Sequence, residues 1–374
     1  MKAIQMVDLV TQYRKIQTEM DLAILDTVGS GHYINGEAVK EFASGLADYT
    51  GSKYAIPCAN GTDALQIALM AMDLQPGDEA IVPAFTYAAT AEAITLLKLK
   101  PVAVDVNPQT FNIDVNKIEE AVSPKTKVII PVNLFGQTAD METIMQVARD
   151  RNLYVIEDNA QSIGSVYTFS NGTKKQAGTI GNVGILSFFP TKNLGCYGDG
   201  GALLTNDEEL AVKLKMITLH GQSQKYRHEI IGCNSRLDTL QAAILNVKLP
   251  HLDSWIKARK KTATCYDSAL SSLTDLLEIP YCIPSVDHVY NQYTLKIKQN
   301  RDGLQKYLKE KGIPTTVYYP LPLHHQPAFK DKIRAGGDLR VSESLCKSAL
   351  SLPMHTELDE EQIQYIISGI INYK

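Results

Sequence analysis

One lysine stands where its amine could become a nucleophile. Lys192 lies in Ser187-Phe-Phe-Pro-Thr-Lys192-Asn-Leu-Gly-Cys-Tyr-Gly-Asp-Gly-Gly201, on a predicted turn between an apolar run and four glycines. A lysine amine in water has a pKa of about 10.4 and is protonated at neutral pH. Desolvation or a nearby cation lowers that value, and the free amine then forms a Schiff base with an aldehyde. Glycines beside it let backbone approach a flat ligand where a Cβ would collide. On local sequence alone, a solvated loop lysine is the ordinary reading.

A carboxylate upstream adds to the chemistry. Tyr154-Val-Ile-Glu-Asp158-Asn-Ala-Gln161-Ser is an apolar run that ends in acid followed by small and polar residues. A buried parallel strand delivers an acid to the C-terminal edge of a sheet in this way, and ligands bind at that edge in open α/β folds. Lys192 and Asp158 are the two groups that pyridoxal phosphate needs. The lysine holds the aldehyde, and the carboxylate keeps the pyridine nitrogen protonated so that the ring acts as an electron sink. The alternative for Asp158 is a helix N-cap directly after the strand.

The elements around them read as alternating strand and helix. Strand-like runs are predicted at 54–59, 79–83, 101–106, 128–134, 154–157, 185–189 and 202–205, with helices at 62–72, 90–97, 116–122 and 141–151. Such repeats argue for a mostly parallel sheet with helices on both faces. An amphipathic helix is predicted over 8–30, and a long helical stretch over 237–271 is interrupted at Pro250. Beyond it come apolar runs at 293–297 and 316–319 and helices near 302–311, 342–348 and 360–372. The expected division is a large domain, 1–250, and a small one, 251–374. Gly61-Thr62 follows the first strand and opens a helix, where free N–H groups favour a phosphate; N-capping by Thr62 is the compatible alternative.

Five ordered strings carry a resemblance: Ala59-Asn-Gly-Thr-Asp-Ala-Leu65, Glu157-Asp-Asn-Ala-Gln161, Ser187-Phe-Phe-Pro-Thr-Lys192, Asn234-Ser-Arg-Leu-Asp238 and Tyr318-Tyr-Pro-Leu-Pro-Leu-His-His-Gln-Pro327. Together they resemble the DegT/DnrJ/EryC1/StrS sugar aminotransferases, from about residue 5 to the C-terminus. The resemblance implies an α/β aminotransferase fold of type I, with a mostly parallel sheet, flanking helices and a smaller α+β C-terminal domain. It implies pyridoxal phosphate on Lys192, with Asp158 at the ring nitrogen and Gln161 at the ring hydroxyl. Tyr87 would stack on the ring, whereas Phe85 reads as a core aromatic. Gly61, Thr62 and Ser187 would hold the phosphate, and Asn234 would reach it from the second subunit of a homodimer. L-glutamate is the implied amino donor and a nucleotide-linked keto sugar the acceptor, with two half-reactions at one site and ping-pong kinetics.

Within that family the chain is most similar to the branch acting on UDP-linked 3-keto sugars, including 2-acetamido-3-keto-hexuronates. Arg236 is the candidate for a uronate carboxylate, which a guanidinium binds through two parallel hydrogen bonds; an ion pair with Asp238 is the alternative. Tyr318 and Tyr319 are the remaining substrate candidates. The uronate enzymes have His-Tyr-Pro where this chain has Tyr318-Tyr319-Pro320. Tyr318 hydrogen-bonds a sugar without carrying positive charge, so a neutral 3-keto or 4-keto sugar is the alternative acceptor.

Composition narrows the remaining classes. At 374 residues, 44% hydrophobic and 21% charged, the chain reads as an ordinary globular protein. A net charge of −4 without a Lys/Arg cluster offers no footprint for nucleic acid. No apolar run reaches a membrane span, and the first residues lack a signal-peptide core. Six scattered cysteines without a C-x-x-C pair imply neither zinc nor disulfides, so the expected home is the cytoplasm. The glycines at 195–201 do not form G-x-G-x-x-G after the first strand, which argues against a NAD enzyme. A dehydratase of the same family would have histidine at position 192. Adjacent His324 and His325 are expected to point apart, which argues against a metal. A cofactor-binding regulator without turnover is the non-enzyme alternative.

Overall fold

The computed structural model describes residues 3–373. Nine strands from the first two-thirds of the chain matter for the site: β1 (Tyr54–Cys58), β2 (Glu79–Pro83), β3 (Lys100–Val104), β4 (Thr126–Ile129), β5 (Tyr154–Asp158), β6 (Val166–Thr168), β7 (Lys174–Gln176), β8 (Val183–Ser187) and β9 (Gly201–Thr205). All but β6 and β7 enter one eight-stranded sheet of order β1-β9-β8-β5-β4-β2-β3, completed at its edge by Arg334–Ala335. Pairing is parallel from β8 to that edge, and β9 runs antiparallel between β1 and β8. Two antiparallel steps restore the direction, so β1, β2, β5 and β8 all end at the same edge. The sheet is mostly parallel, as the βα alternation implies.

Strand side chains alternate between two buried faces. Ala80, Val82, Val128, Ile156, Val183, Ile185 and Leu203 pack on one side with helices α4 (Gly61–Ala71), α5 (Ala89–Leu96) and α8 (Glu208–Thr218). The opposite face divides into two clusters. Ile81, Val102, Val104, Ile129 and Val155 meet α6 (Val115–Ala121) and α7 (Met141–Arg151). Leu186, Ala202 and Leu204 meet α3 (Glu37–Thr50), α9 (Thr239–Lys248) and the start of α10 (Leu252–Leu270). Covering both faces is what gives these strands their near-continuous apolar sequences.

Several boundaries differ from the sequence reading. The helix expected over 8–30 is two, α1 (Leu9–Lys15) and α2 (Gln17–Ser30), because the backbone leaves helical geometry at Ile16. Helices α3 and α8 are not part of that reading, although α3 sets Val39, Phe42, Leu46 and Tyr49 along one face at helical spacing. The run at 316–319 is not a strand and makes a single bridge, Thr316 to Ser351. Pro250 does interrupt the long helix, as a short 3-10 turn between α9 and α10.

A separate apolar core gathers the far half of α10, Tyr293–Ile297, Ala349–Leu352 and the helices Arg301–Glu310 and Glu360–Ile371, together with Ile4. We take it as the centre of the smaller domain proposed for 251–374. Segments of that same range also pair with strands of the first two-thirds of the chain, one in the large sheet and one in the separate sheet of β6 and β7. Arg334–Ala335 pairs with β3, and Val286–Asp287 pairs with β6.

Candidate active site

The shared strand edge opens on a cavity of about 640 Å³ whose walls include Asn60, Gly61, Thr62, Tyr87, Thr90, Asp158, Gln161, Ser187, Lys192, Tyr318 and Tyr319. Nine of the eleven sequence candidates meet there. Asn234 and Arg236 do not line it.

Asp158 closes β5 and is 5% exposed. Its Oδ2 accepts from Thr90 Oγ1 at 2.8 Å and its Oδ1 from the Ala160 N–H at 3.3 Å. No helix follows β5, so the N-cap alternative fails; the Ala160 contact belongs to a turn. Burial pushes the Asp158 carboxyl above its usual range, opposed by Thr90, the Ala160 N–H and the charge of Lys192. A desolvated carboxylate gains most from a cation placed against it. Its neighbour Glu157 points the other way, fully buried, accepting the N–H groups of Gly178, Ile180 and Gly181, and so pins the loop behind β5.

Lys192 follows β8 on a turn closed by its own N–H to Phe189 O at 2.9 Å. Burial draws its amine down to about 8, against the opposing pull of Asp158. Near neutrality it is therefore much closer to a free amine than a lysine in water.

The start of α4 makes an anion cradle. Asn60, not Thr62, is the N-cap: its Oδ1 accepts the Asp63 N–H at 2.8 Å. The N–H groups of Gly61 and Thr62 thus have no partner within the helix. Gly61 is required by packing, because a Cβ there would lie 2.8 Å from Ser187 Cβ. That approach sets Ser187 Oγ beside the helix end.

Aromatic positions separate as expected. Phe85 is fully buried and stacks with Phe111, whereas Tyr87 is 62% exposed over the cavity. Gln161 accepts the Phe135 N–H at 2.7 Å and donates to the Tyr319 hydroxyl at 3.2 Å, which fixes its amide in the wall. Tyr319 lies 6.2 Å from Tyr87, centroid to centroid. A second cavity of about 280 Å³ shares Thr191, Gln292 and Tyr318 with the first and adds Gln5, Met6 and Val7.

Two alternatives change. The Arg236–Asp238 ion pair is not formed, and Arg236 has no ion pair among the described residues. His324 and His325 do not point apart: their Nε2 atoms lie 3.2 and 3.4 Å from the same Glu343 Oε1. The 3-10 turn Leu323–His325 turns both rings toward the helix that carries Glu343. Sequence reasoning missed Thr90, although it sits in the quoted helix start after β2; a threonine there carries no signal until the sheet sets β2 near β5.

These residues fit pyridoxal phosphate. A buried acid short of a cation, a lysine with a lowered pKa, an uncapped pair of helix N–H groups and an exposed tyrosine surround one cavity of suitable volume. Comparison with known proteins agrees. Residues 14–371 match the DegT/DnrJ/EryC1/StrS aminotransferase family. The chain is 48% identical over 371 residues to a pleiotropic regulatory protein of Geobacillus stearothermophilus, covering 99% of this chain and 98% of the relative. It is 45% identical over 369 residues to the UDP-2-acetamido-2-deoxy-3-oxo-D-glucuronate aminotransferase of Pseudomonas aeruginosa, covering 99% and 100%. A crystal structure of DesV from S. venezuelae in complex with a ketimine intermediate superposes with a TM-score of 0.94 at 37% identity, covering 99% and 98%.

Proposed function

The chain belongs to the DegT/DnrJ/EryC1/StrS aminotransferase family and is a pyridoxal-phosphate-dependent aminotransferase; from that premise we propose that it transfers the amino group of L-glutamate to the 3-keto group of a UDP-linked 2-acetamido-2-deoxy sugar, a hexuronate or a close relative. The observation that carries this reading is the pairing of Lys192, drawn to about 8, with buried Asp158 across one cavity.

Bound pyridoxal phosphate supplies an electron sink for the negative charge that develops at the donor carbon. Lys192 holds the cofactor at rest. Its amine would be the general acid/base that carries a proton between the Cα of L-glutamate and the cofactor, and in the reverse direction on the sugar. Asp158 holds the ring nitrogen as a cation, and Thr90 keeps that carboxylate aimed into the cavity. Gly61, Thr62 and Ser187 would hold the phosphate, Tyr87 would cover the ring face, and Gln161 would meet the ring hydroxyl. Tyr318 and Tyr319 face the sugar. The adjoining cavity gives the larger acceptor room beyond the cofactor.

Asn234 and Arg236 act across the interface of a homodimer in this proposal. Asn234 is exposed and Arg236 carries an unpaired guanidinium away from its own cavity, which suits residues that serve a neighbour. The free state of all six cysteines favours the cytoplasm; no helix among the described residues is long and apolar enough to cross a membrane. A surface polysaccharide is the proposed destination of the aminated sugar. A neutral 4-keto-6-deoxy sugar is the second reading, favoured by the uncharged Tyr318.

An absorbance experiment tests the proposal. The purified protein should show a visible cofactor band that moves to the near ultraviolet with L-glutamate, and Lys192→Ala should not. Keto nucleotide sugars added next should restore the band in order of preference. Absence of any cofactor band after added pyridoxal phosphate would sink the reading.

A further inference from the structure

Lys248 is 1% exposed, and no carboxylate pairs with it among the described residues. Burying an ammonium group without a counter-ion is costly unless hydrogen bonds hold it. Its Nζ donates to Gly195 O at 2.6 Å and lies 4.0 Å from the centroid of the Tyr197 ring. Both acceptors belong to the loop that carries Lys192. Seven residues earlier, on the same face of α9, Gln241 Oε1 accepts the Tyr197 N–H at 2.9 Å.

That loop has little slack. The Cys196 N–H donates to Phe188 O at 2.8 Å, closing the turn around Lys192. A Cβ on Gly195 would lie 2.5 Å from Pro190 O and 2.9 Å from Phe189 O. A pull on Gly195 O is therefore transmitted through backbone already in contact with the residues flanking Lys192. Burial draws the Lys248 amine down to about 8, so below that pH the donor is charged and its pull is stronger than that of a neutral amine. Helix α9 is itself fixed, with Ile244 packed on Met20 of α2 and Leu245 in the core with Phe42 of α3.

We propose that Lys248 is a positioning residue for the reaction: with Gln241 it clamps residues 195–197 to α9 and so fixes where the Lys192 amine stands over the cofactor. This rests on the reading of Lys192 as the cofactor's anchor. The role differs from general stability because a loosened loop misplaces one amine while leaving the sugar's contacts intact. Misplacement of a reacting group by about 1 Å costs on the order of a hundredfold in rate.

Lys248→Met keeps the apolar stem and removes donor and charge. The loaded variant should lose about ten- to hundredfold in kcat, with KM for the nucleotide sugar changed by less than about twofold. Its visible circular dichroism, which reports how the bound cofactor is oriented, should weaken. In the apo-protein, amide exchange across 193–200 should quicken while the rest of the sheet is unaffected. Lys248→Arg should recover part of each signal, and exposed Lys261→Met should change none. If Lys248→Met does not fold, Gln241→Ala removes the second hold and should move exchange and kcat in the same direction. A folded Lys248→Met with wild-type kcat, dichroism and exchange would overturn the proposal, as would a lowered melting temperature with no other change. A wild-type protein without a cofactor band would defeat the anchor reading instead, and the apo-protein exchange would still test the clamp.

Discussion

The amine of Lys192 and the carboxylate of Asp158 owe their chemistry to the same cause, removal from water. Burial lowers the lysine and raises the acid, and each partly offsets the other's penalty. Only a neutral amine attacks an aldehyde, so uptake of pyridoxal phosphate by apo-protein should rise with pH and level off above about 8. A stopped-flow absorbance series checks this; an inflection near 10.5, the value of a lysine in water, would mean the site does not desolvate it. Asp158→Asn keeps the shape and the Thr90 contact but removes the charge. A close carboxylate favours a cation by about 1–3 pKa units, so the half-reaction with L-glutamate should slow by about ten- to a thousandfold. Single-turnover absorbance measures that loss, and a rate within a factor of two of wild type would show that Asp158 does not face the ring nitrogen.

Among the elements, α4 is held with little tolerance. Its first turn is set by Asn60 and pressed against β8 at Ser187 and against β9 at Gly201, where a Cβ would lie 2.5 Å from Asn60 C. Gly61→Ala should push the helix start away from Ser187 and weaken cofactor binding, measured by equilibrium titration with pyridoxal phosphate. Unchanged affinity would mean that the helix end does not hold the phosphate. Asn60→Ala removes the cap and should cost about 1 kcal/mol of stability, read from denaturant unfolding of the apo-protein. The observed cap, Asn60, lies two residues before the Thr62 of the sequence reading. Thr62 offers its N–H, while Asn60 does the capping.

At the scale of the whole molecule, nine candidate residues share one cavity and two do not. Asn234 and Arg236 sit before α9 and do not line the chain's own cavity. In a homodimer with shared sites, Lys192→Ala and Arg236→Ala would each be inactive alone on a uronate substrate. Mixed subunits that exchange freely should regain about a quarter of wild-type activity, because half of the dimers carry one intact site of two. No recovery after verified exchange would place Arg236 in its own chain's site or outside the reaction.

The sequence by itself determined the αβ alternation, the strand-end placement of Asp158, the turn that bears Lys192 and the helix start at Gly61. These are local: apolar period, Gly spacing and chain order suffice to write them down. It also separated Phe85 from Tyr87, one buried and one facing the cavity. Tertiary structure decided what depends on which strands are neighbours. The antiparallel β9 between β1 and β8 brings Gly61 against Ser187, and the order β5-β4-β2 brings Thr90 to Asp158 across 68 residues. Lys248, 53 residues beyond Gly195, was invisible for the same reason. No local pattern distinguishes a lysine that clamps a loop from one that is solvated; only the burial that folding imposes makes its single carbonyl partner matter.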